Sequence, residues 1–225
     1  MKKTFKLLAL FIILSSVLCA FFITVSAEDT TTYYVSYKSG YDRNDGKTAD
    51  TALKTLNRAY SNALRDNVKE AIIVITDRYE VPNGHSELEH SNINITITSH
   101  DGVTDYRKSG AKMVFGNTKR FYLNGDTAFE NIAFEYEVSI NFVAQYNRIT
   151  FGEGIEFIFR GSSPIGIYVV GGWQDPTDEA DVGRDTHITI NSGEFAVVCC
   201  GSRQGAPNSA GRKYTGTHYI DINGG

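Results

Sequence analysis

Apolar and polar residues alternate in short segments along most of this chain. Isoleucine, valine, threonine, phenylalanine and tyrosine are common in these segments, and glycine or asparagine often separates them. Alternation with a period of two is typical of strands that are buried on one face. The pattern predicts strands at residues 33–37, 71–76, 93–98, 112–115, 120–123, 128–134, 140–144, 148–151, 155–159, 165–170, 187–190, 194–199 and 218–222.

Residues 55–64 have helical spacing instead. Their apolar side chains recur at intervals that place them on one face of a helix, and Thr55 is suited to cap the first turn. This face consists of Leu56, Ala59, Tyr60, Ala63 and Leu64. We therefore predict one short amphipathic α-helix, which precedes almost all of the strands.

A repeat relates the last strands of the chain. Residues 186–193 recur as 218–225, an offset of 32 residues that matches Ile188 with Ile220. Similar segments recur roughly every 18–32 residues, at 92–98, 131–134 and 147–152, and repetition on this scale indicates a solenoid.

In a solenoid, each coil buries its apolar face against the next coil. The predicted helix is well placed to cover the open end of the first coil, where unpaired strand edges invite aggregation. The strand at 194–199 has no counterpart after Gly225. We therefore expect a fragment of a longer protein, and the alternative is a true end at Gly225 that a dimer partner or a ragged terminus covers.

The first residues resemble a secretory signal. Three lysines precede an apolar run at 7–25, and the small residue Ala27 is followed by polar residues, which is the order that an export signal requires. An uncleaved anchor is the alternative, because a run of about 19 residues nearly spans a bilayer. We expect cleavage and a secreted or cell-surface protein.

Three parts of the chain follow from these patterns. They are a signal peptide at 1–27, an N-terminal strand, loop and capping helix at 28–70, and the coils at 71–225.

The charge of the mature chain limits its partners. Removal of the signal leaves 19 basic and 26 acidic residues, a net charge of −7. Nucleic acid and anionic membranes are therefore not expected as partners, because both require a concentrated basic surface. The remaining cysteines, Cys199 and Cys200, are adjacent, and neighbours on a strand point to opposite faces, so we expect no disulfide between them.

The N-terminal segments resemble a known family. Residues 33–36, 40–48 and 52–59 are similar to the opening of right-handed parallel β-helix proteins of the pectate-lyase-like superfamily. Those openings run from a strand through a Gly-x-Asp-x-Asn-x-Gly loop into a Thr-Leu-x-x-Ala helix. Later stretches resemble secreted β-helix regions of gut and rumen Firmicutes, at 95–99, 110–116, 127–132 and 188–195.

This resemblance implies an all-β fold, a right-handed parallel β-helix with an N-terminal capping α-helix. Family members include polysaccharide lyases, glycosidases and surface proteins of no known activity. A shared fold does not determine function.

Two long loops form a candidate ligand-binding edge. Residues 171–185 are acidic and 201–214 are basic, and each loop precedes a matching strand of the repeat. In a solenoid both loops emerge at the same corner of consecutive coils. We expect the aromatic rings of this edge to stack on sugar rings and its charged side chains to bind hydroxyls or uronates. The alternative is two solvated loops with weak ion pairs. The candidate residues are Trp173, Asp175, Asp178, Arg203, Arg212, Lys213 and Tyr214.

A second candidate is a calcium site. Asp42, Asn44 and Asp45 lie in a glycine-flanked loop, and Ca²⁺ prefers clustered carboxylate and amide oxygens. The alternative is an ordinary tight turn, which favours the same residue types.

The sequence predicts a non-catalytic extracellular β-helix module that contacts polysaccharide or other proteins. One alternative is a polysaccharide lyase or glycoside hydrolase whose catalytic coils lie partly or wholly beyond residue 225. Another is an antiparallel β-sandwich that binds carbohydrate, in which no ladders of stacked residues are expected.

Overall fold

The computed structural model describes residues 30–82, 92–117, 120–123, 125–162, 166–172, 184–201 and 216–224. This part of the chain is predominantly β-structure, with one α-helix, α1 (Leu56–Arg65), and a 3-10 helix at Tyr106–Ser109. The strands are β1 (Thr30–Val35), β2 (Glu70–Ile75), β3 (Arg78–Glu80), β4 (Asn94–Thr98), β5 (Lys112–Phe115), β6 (Arg120–Tyr122), β7 (Thr127–Glu130), β8 (Ala133–Tyr136), β9 (Ile140–Val143), β10 (Arg148–Phe151), β11 (Glu156–Phe159), β12 (Ile167–Val170), β13 (Thr186–Ile190), β14 (Val197–Cys199) and β15 (His218–Ile222).

The described strands form three parallel sheets. Sheet 1 has the order β1-β2-β4-β7-β10-β13-β15, sheet 2 the order β3-β5-β8-β11 and sheet 3 the order β6-β9-β12-β14. The strands from β4 to β12 enter sheets 1, 2 and 3 in turn. Every pairing between these strands is parallel. For this part of the chain, the pairing excludes the antiparallel sandwich and is compatible with a β-helix.

Sheet 1 aligns matching residues across its strands. Ile188 pairs with Ile220 in register, which confirms the offset predicted from the repeat. A ladder crosses all seven strands through Tyr33, Ile73, Ile97, Phe129, Phe151, Ile190 and Ile222. The number of residues between neighbouring positions of this ladder varies more than predicted, because the connections between the strands differ in length. The longest interval runs from Tyr33 to Ile73.

The core lies between the three sheets and is rich in phenylalanine. Phe129 of sheet 1 lies 5.4 Å from Phe134 of sheet 2 and 5.5 Å from Phe142 of sheet 3, between ring centroids. All three side chains are fully buried. Both pairs have the edge-to-face geometry that aromatic rings prefer, and each buried ring contributes about 2–3 kcal/mol through the hydrophobic effect. Side chains from all three sheets therefore share one core.

The predicted strand at 128–134 was wrong as a single element. It forms two strands, β7 in sheet 1 and β8 in sheet 2. Asn131 lies between them with φ of 45°, a left-handed conformation that asparagine tolerates better than most residues. Continuous apolar alternation therefore concealed a corner at which the chain passes from one sheet to the next.

Other differences involve short elements. The segment at 194–199 forms a strand only at Val197–Cys199, and neither Arg78–Glu80 nor the 3-10 helix at Tyr106–Ser109 was predicted. Each of these elements has three or four residues, which is too short for a periodic pattern to appear.

Helix α1 confirms the predicted helix. The Thr55 hydroxyl accepts a hydrogen bond from the Arg58 N–H at 3.1 Å and caps the first turn. The buried face joins the core and packs against β1 and β2; its residues are Leu56, Ala59, Tyr60 and Ala63. The helix therefore lies beside the first strands of sheet 1, where it was expected.

The predicted signal peptide at residues 1–27 lies outside the described residues. Within the described ranges, none of the helices is both long and apolar enough to cross a membrane. Cys199 and Cys200 are both free thiols.

Candidate functional site

The predicted ligand-binding edge lies outside the described residues. This holds for all seven of its members, Trp173, Asp175, Asp178, Arg203, Arg212, Lys213 and Tyr214. Their role in binding stays a prediction.

The first carboxylate of the predicted calcium loop binds protein donors. One oxygen of Asp42 accepts hydrogen bonds from the N–H groups of Lys54 at 2.8 Å and Thr55 at 3.0 Å. The other oxygen accepts from the Thr55 hydroxyl at 3.1 Å. Asp42 therefore fixes the loop against the N-terminus of α1.

The other two residues of this loop also make local contacts. The Asn44 side chain donates to the Ala52 carbonyl at 2.9 Å, and the Asp45 carboxylate accepts from the Thr51 hydroxyl at 2.6 Å. The hydrogen bond from Thr51, followed by that from the Lys47 N–H, lowers the pKa of Asp45. These contacts favour the turn interpretation.

Within the described ranges, no group of three or more His, Cys, Asp and Glu side chains is arranged to hold a metal ion. Calcium binding by Asp42, Asn44 and Asp45 remains an untested prediction.

The same loop forms one wall of a groove beside α1. The groove has a volume of about 860 Å³, which is within the usual range for ligand sites. We name it the α1 groove; its lining residues are Gly40, Tyr41, Asp42, Arg43, Lys54, Thr55, Asn57, Arg58 and Ser61. Most of the lining residues carry polar or charged side chains, which suits a ligand rich in hydroxyl or charged groups.

The wall of the α1 groove is held firmly by the fold. The Gly40 N–H donates to the Ser36 carbonyl at 2.9 Å, and a Cβ atom at Gly40 would lie only 2.1 Å from the Leu53 carbonyl oxygen. The Asp77 carboxylate accepts from the Ser36 hydroxyl at 2.6 Å and from the Tyr37 N–H at 2.9 Å. The loop is therefore anchored on both sides of its glycine.

Exposed aromatic rings and cations occur together in this loop. Tyr41 is 54% exposed, and the guanidinium carbon of Arg43 lies 5.8 Å from the centre of its ring. Tyr37 is 42% exposed. The Lys54 ammonium lies 4.7 Å from the centre of the Tyr37 ring and donates a hydrogen bond to the Tyr37 backbone carbonyl. Such amphipathic rings offer an apolar face to a ligand.

The three cations of the α1 groove have no acidic partner in the described part of the chain. Arg43 and Arg58 are exposed, and Lys54 is half-buried. None of them forms an ion pair there, and the carboxylate of Asp42 is already hydrogen-bonded to the loop. Their positive charge remains available to a ligand.

A second group of cations surrounds one carboxylate on the outer face of sheet 2. We name it the Glu135 cluster; it consists of Arg78, Lys112, Glu135 and Arg160. Glu135 lies 2.7 Å from Arg78, 2.8 Å from Lys112 and 3.5 Å from Arg160. Its neighbours along β8, Phe134 and Tyr136, point into the core, so Glu135 points outward, yet its side chain is only 10% exposed.

The cations change the chemistry of this carboxyl group. The hydrogen bond from Lys112, assisted by that from Arg78, outweighs burial and lowers the pKa of Glu135 to about 2. Glu135 is therefore ionised at ordinary pH and cannot donate a proton as a general acid. The cluster joins β3, β5, β8 and the end of β11, which favours a structural role.

Sequence reasoning missed both sites. The members of the Glu135 cluster are far apart in the chain, and only strand register brings them together. The α1 groove had a usable signal, because residues 37–58 contain two tyrosines, several cations and a glycine-flanked loop.

A scan against protein-family models, a search of curated proteins and a search of solved structures each found no match to this chain. A function must therefore be inferred from the residues of the two sites.

Proposed function

We propose that the chain folds as a right-handed parallel β-helix of the pectate-lyase-like kind, with α1 capping its first coil. The cyclic order in which β4 to β12 enter the three sheets supports this proposal. The ladder across sheet 1 and the packing of α1 against β1 and β2 support it further. Right-handed crossover is the strong rule for parallel strands.

We further propose that this fold serves as a non-catalytic extracellular module that binds polysaccharide through the α1 groove. The observation that carries this proposal is the exposed ring of Tyr41 beside cations without acidic partners in the described chain. The apolar face of a sugar ring stacks on an aromatic ring, while charged donors bind its oxygens. The predicted export signal supports a location outside the cell.

The groove lining favours binding over cleavage. Glycoside hydrolysis uses two carboxyl groups on either side of the scissile bond. Among the described lining residues Asp42 is the single carboxylate, and its oxygens hold the loop. Glu135, ionised and surrounded by cations, is no better suited to act as the acid.

The proposal is tested by affinity electrophoresis in gels that each contain one polysaccharide, including polygalacturonate, xylan and neutral and sulfated dextrans. We expect at least one polymer to retard the protein, and Tyr41→Ala to weaken this binding about fivefold through lost stacking. Tyr219→Ala is the matched control, because Tyr219 is 47% exposed on β15, at the other edge of sheet 1.

Two outcomes would contradict the proposal. One is that none of the polymers retards the protein. The other is equal weakening by Tyr41→Ala and Tyr219→Ala. Release of unsaturated sugars from polygalacturonate by the same protein would favour the lyase alternative instead.

A further inference from the structure

Two lysines near α1 lie over tyrosine rings, and the fold treats their charges differently. The Lys47 ammonium lies 4.0 Å from the centre of the Tyr33 ring and 3.3 Å from a carboxylate oxygen of Asp66. The Lys54 ammonium lies 4.7 Å from the centre of the Tyr37 ring and donates to the Tyr37 backbone carbonyl. A carboxylate therefore neutralises Lys47, whereas Lys54 has an uncharged ring and an uncharged acceptor in the described part of the chain.

The Lys54 ammonium is held at the α1 groove by the fold itself. Lys54 is half-buried and lines the groove. The backbone is anchored at both ends of its hydrogen bond to Tyr37, because the Lys54 N–H donates to Asp42 at 2.8 Å and the Tyr37 N–H donates to Asp77 at 2.9 Å. Ordering a long side chain opposes binding by about 0.5–1.5 kcal/mol. Much of this ordering has already occurred for Lys54 when the protein is folded.

The hydrogen-bonding capacity of this ammonium favours an anionic acceptor. An ammonium group has three N–H donors, and within the described chain the Tyr37 carbonyl accepts one of them. The other donors remain for a ligand. Hydrogen bonds from a cation to a charged oxygen are roughly twice as strong as those between neutral groups, so Lys54 should bind an acidic sugar more tightly than a neutral one.

The charge of the groove lining has the same sign as Lys54. Arg43 and Arg58 also line the groove, and neither forms an ion pair in the described ranges. Asp42 is the single carboxylate among the lining residues. Three cations and one carboxylate give the lining a net charge of +2, although the whole chain has a net charge of −4. A surface of one sign concentrates ligands of the opposite sign.

We propose that the α1 groove selects acidic polysaccharides over neutral ones, and that Lys54 is a specificity-determining residue for this choice. The sugar ring stacks on Tyr41, and Lys54 binds the negatively charged group, which is a carboxylate or a sulfate ester. Arg43 and Arg58 add positive charge around it. This inference rests on the proposed polysaccharide-binding function, and it adds the class of polysaccharide and a residue that selects it.

The preference is tested on one polymer backbone with and without acidic groups. Isothermal titration at pH 7 compares dextran, carboxymethyl dextran and dextran sulfate, the last two substituted to the same degree. An ionic strength of about 0.15 M limits the reach of charges outside the groove to about 8 Å. We expect both acidic polymers to bind at least about tenfold more tightly than dextran. The tighter of the two shows which acidic group is the better source of the charge.

Two lysine variants test the role of Lys54. Lys54→Gln should weaken binding of the acidic polymers about fivefold and of dextran less than about twofold, because only the acidic polymers lose a charged partner. Lys47→Gln is the matched control, since Asp66 already neutralises that lysine, and it should leave every affinity within about twofold. Lys54→Arg keeps the charge and should keep the acidic preference. Lys54→Met keeps the apolar stem and replaces Lys54→Gln if the latter does not fold.

The outcomes separate this inference from the proposed function. Equal binding of dextran and its acidic derivatives overturns the acidic preference and leaves polysaccharide binding intact. Equal weakening of neutral and acidic polymers by Lys54→Gln overturns the specificity role, because a lysine that only supports the Tyr37 loop would act on both alike. Equal weakening by Lys54→Gln and Lys47→Gln overturns it as well. Failure of every polymer to bind overturns both proposals.

Discussion

The α1 groove and the Glu135 cluster each contain three cations, and they use them differently. In the Glu135 cluster, each cation lies within 3.5 Å of one carboxylate. In the α1 groove, Asp42 is hydrogen-bonded to the loop, and Arg43 and Arg58 form no ion pair in the described part of the chain. Local composition alone therefore does not define a binding site. What matters is whether the positive charge has already been neutralised within the fold.

The largest expected effect comes from removal of the shared carboxylate. Glu135→Gln leaves Arg78, Lys112 and Arg160 close together without their anion, and the free energy of unfolding should fall by about 2 kcal/mol. This figure is below that for a fully buried pair because the two guanidiniums are half exposed. Urea denaturation provides the measurement.

A neighbouring carboxylate provides the control for this variant. Glu80 lies 2.7 Å from Arg78, yet its side chain is 41% exposed, so Glu80→Gln should cost less than about 1 kcal/mol. Equal losses for the two variants would show that the Glu135 cluster is an ordinary surface ion pair.

The pH dependence of stability should follow the same carboxylate. The pKa of Glu135 is lowered to about 2 in the folded protein, below the ordinary value for an unfolded chain. The contribution of Glu135 to the free energy of unfolding is therefore complete above its pKa in the unfolded chain, and it is lost as the pH falls through its pKa in the folded protein. The stability difference between wild type and Glu135→Gln should shrink from about pH 4.5 to pH 2. A difference that stays constant across that range would contradict the assignment.

A smaller loss is expected from the carboxylate of the groove. Asp42→Ala removes the acceptor for two N–H groups and one hydroxyl, and partial access to water should limit the cost to about 1 kcal/mol. Asp50→Ala, at an exposed turn position, is the matched control and should leave the unfolding midpoint unchanged. If Asp42→Ala also leaves it unchanged, the loop is not held as described.

The smallest effect on stability is expected from the groove cations themselves. Arg43→Gln/Arg58→Gln should change the free energy of unfolding by less than about 0.5 kcal/mol, because neither side chain has an acidic partner in the described chain. A loss comparable to that of Glu135→Gln would mean that these arginines stabilise the fold. The difference between the two sites would then disappear.

The strands and the helix were predictable because their signals are periodic patterns in the sequence. Ile188 and Ile220 occupy matching places in a repeat, and Thr55 and Leu56 begin a helix with a clear apolar face. The corner at Asn131 was missed because Phe129 and Phe134 continue the apolar pattern on either side.

The two sites were harder to predict for a different physical reason. Glu135 meets Arg78 and Lys112 only through the register of three parallel strands, and connections of unequal length hide that register in the sequence. The α1 groove depends on a turn in which the Asp42 carboxylate accepts hydrogen bonds from the N–H groups of Lys54 and Thr55. Residue types suggested calcium there, whereas the hydrogen bonds favour a turn that places cations in a groove.

The most direct test of the central claim compares two pairs of arginines in one binding experiment. Isothermal titration with dextran sulfate measures the affinity of wild type, Arg43→Gln/Arg58→Gln and Arg78→Gln/Arg160→Gln, which remove equal charge. We predict that the groove pair weakens binding about tenfold and that the cluster pair changes it less than about twofold. Equal weakening by both pairs would contradict the account, because it would mean that the polymer responds to the overall charge of the protein rather than to the α1 groove.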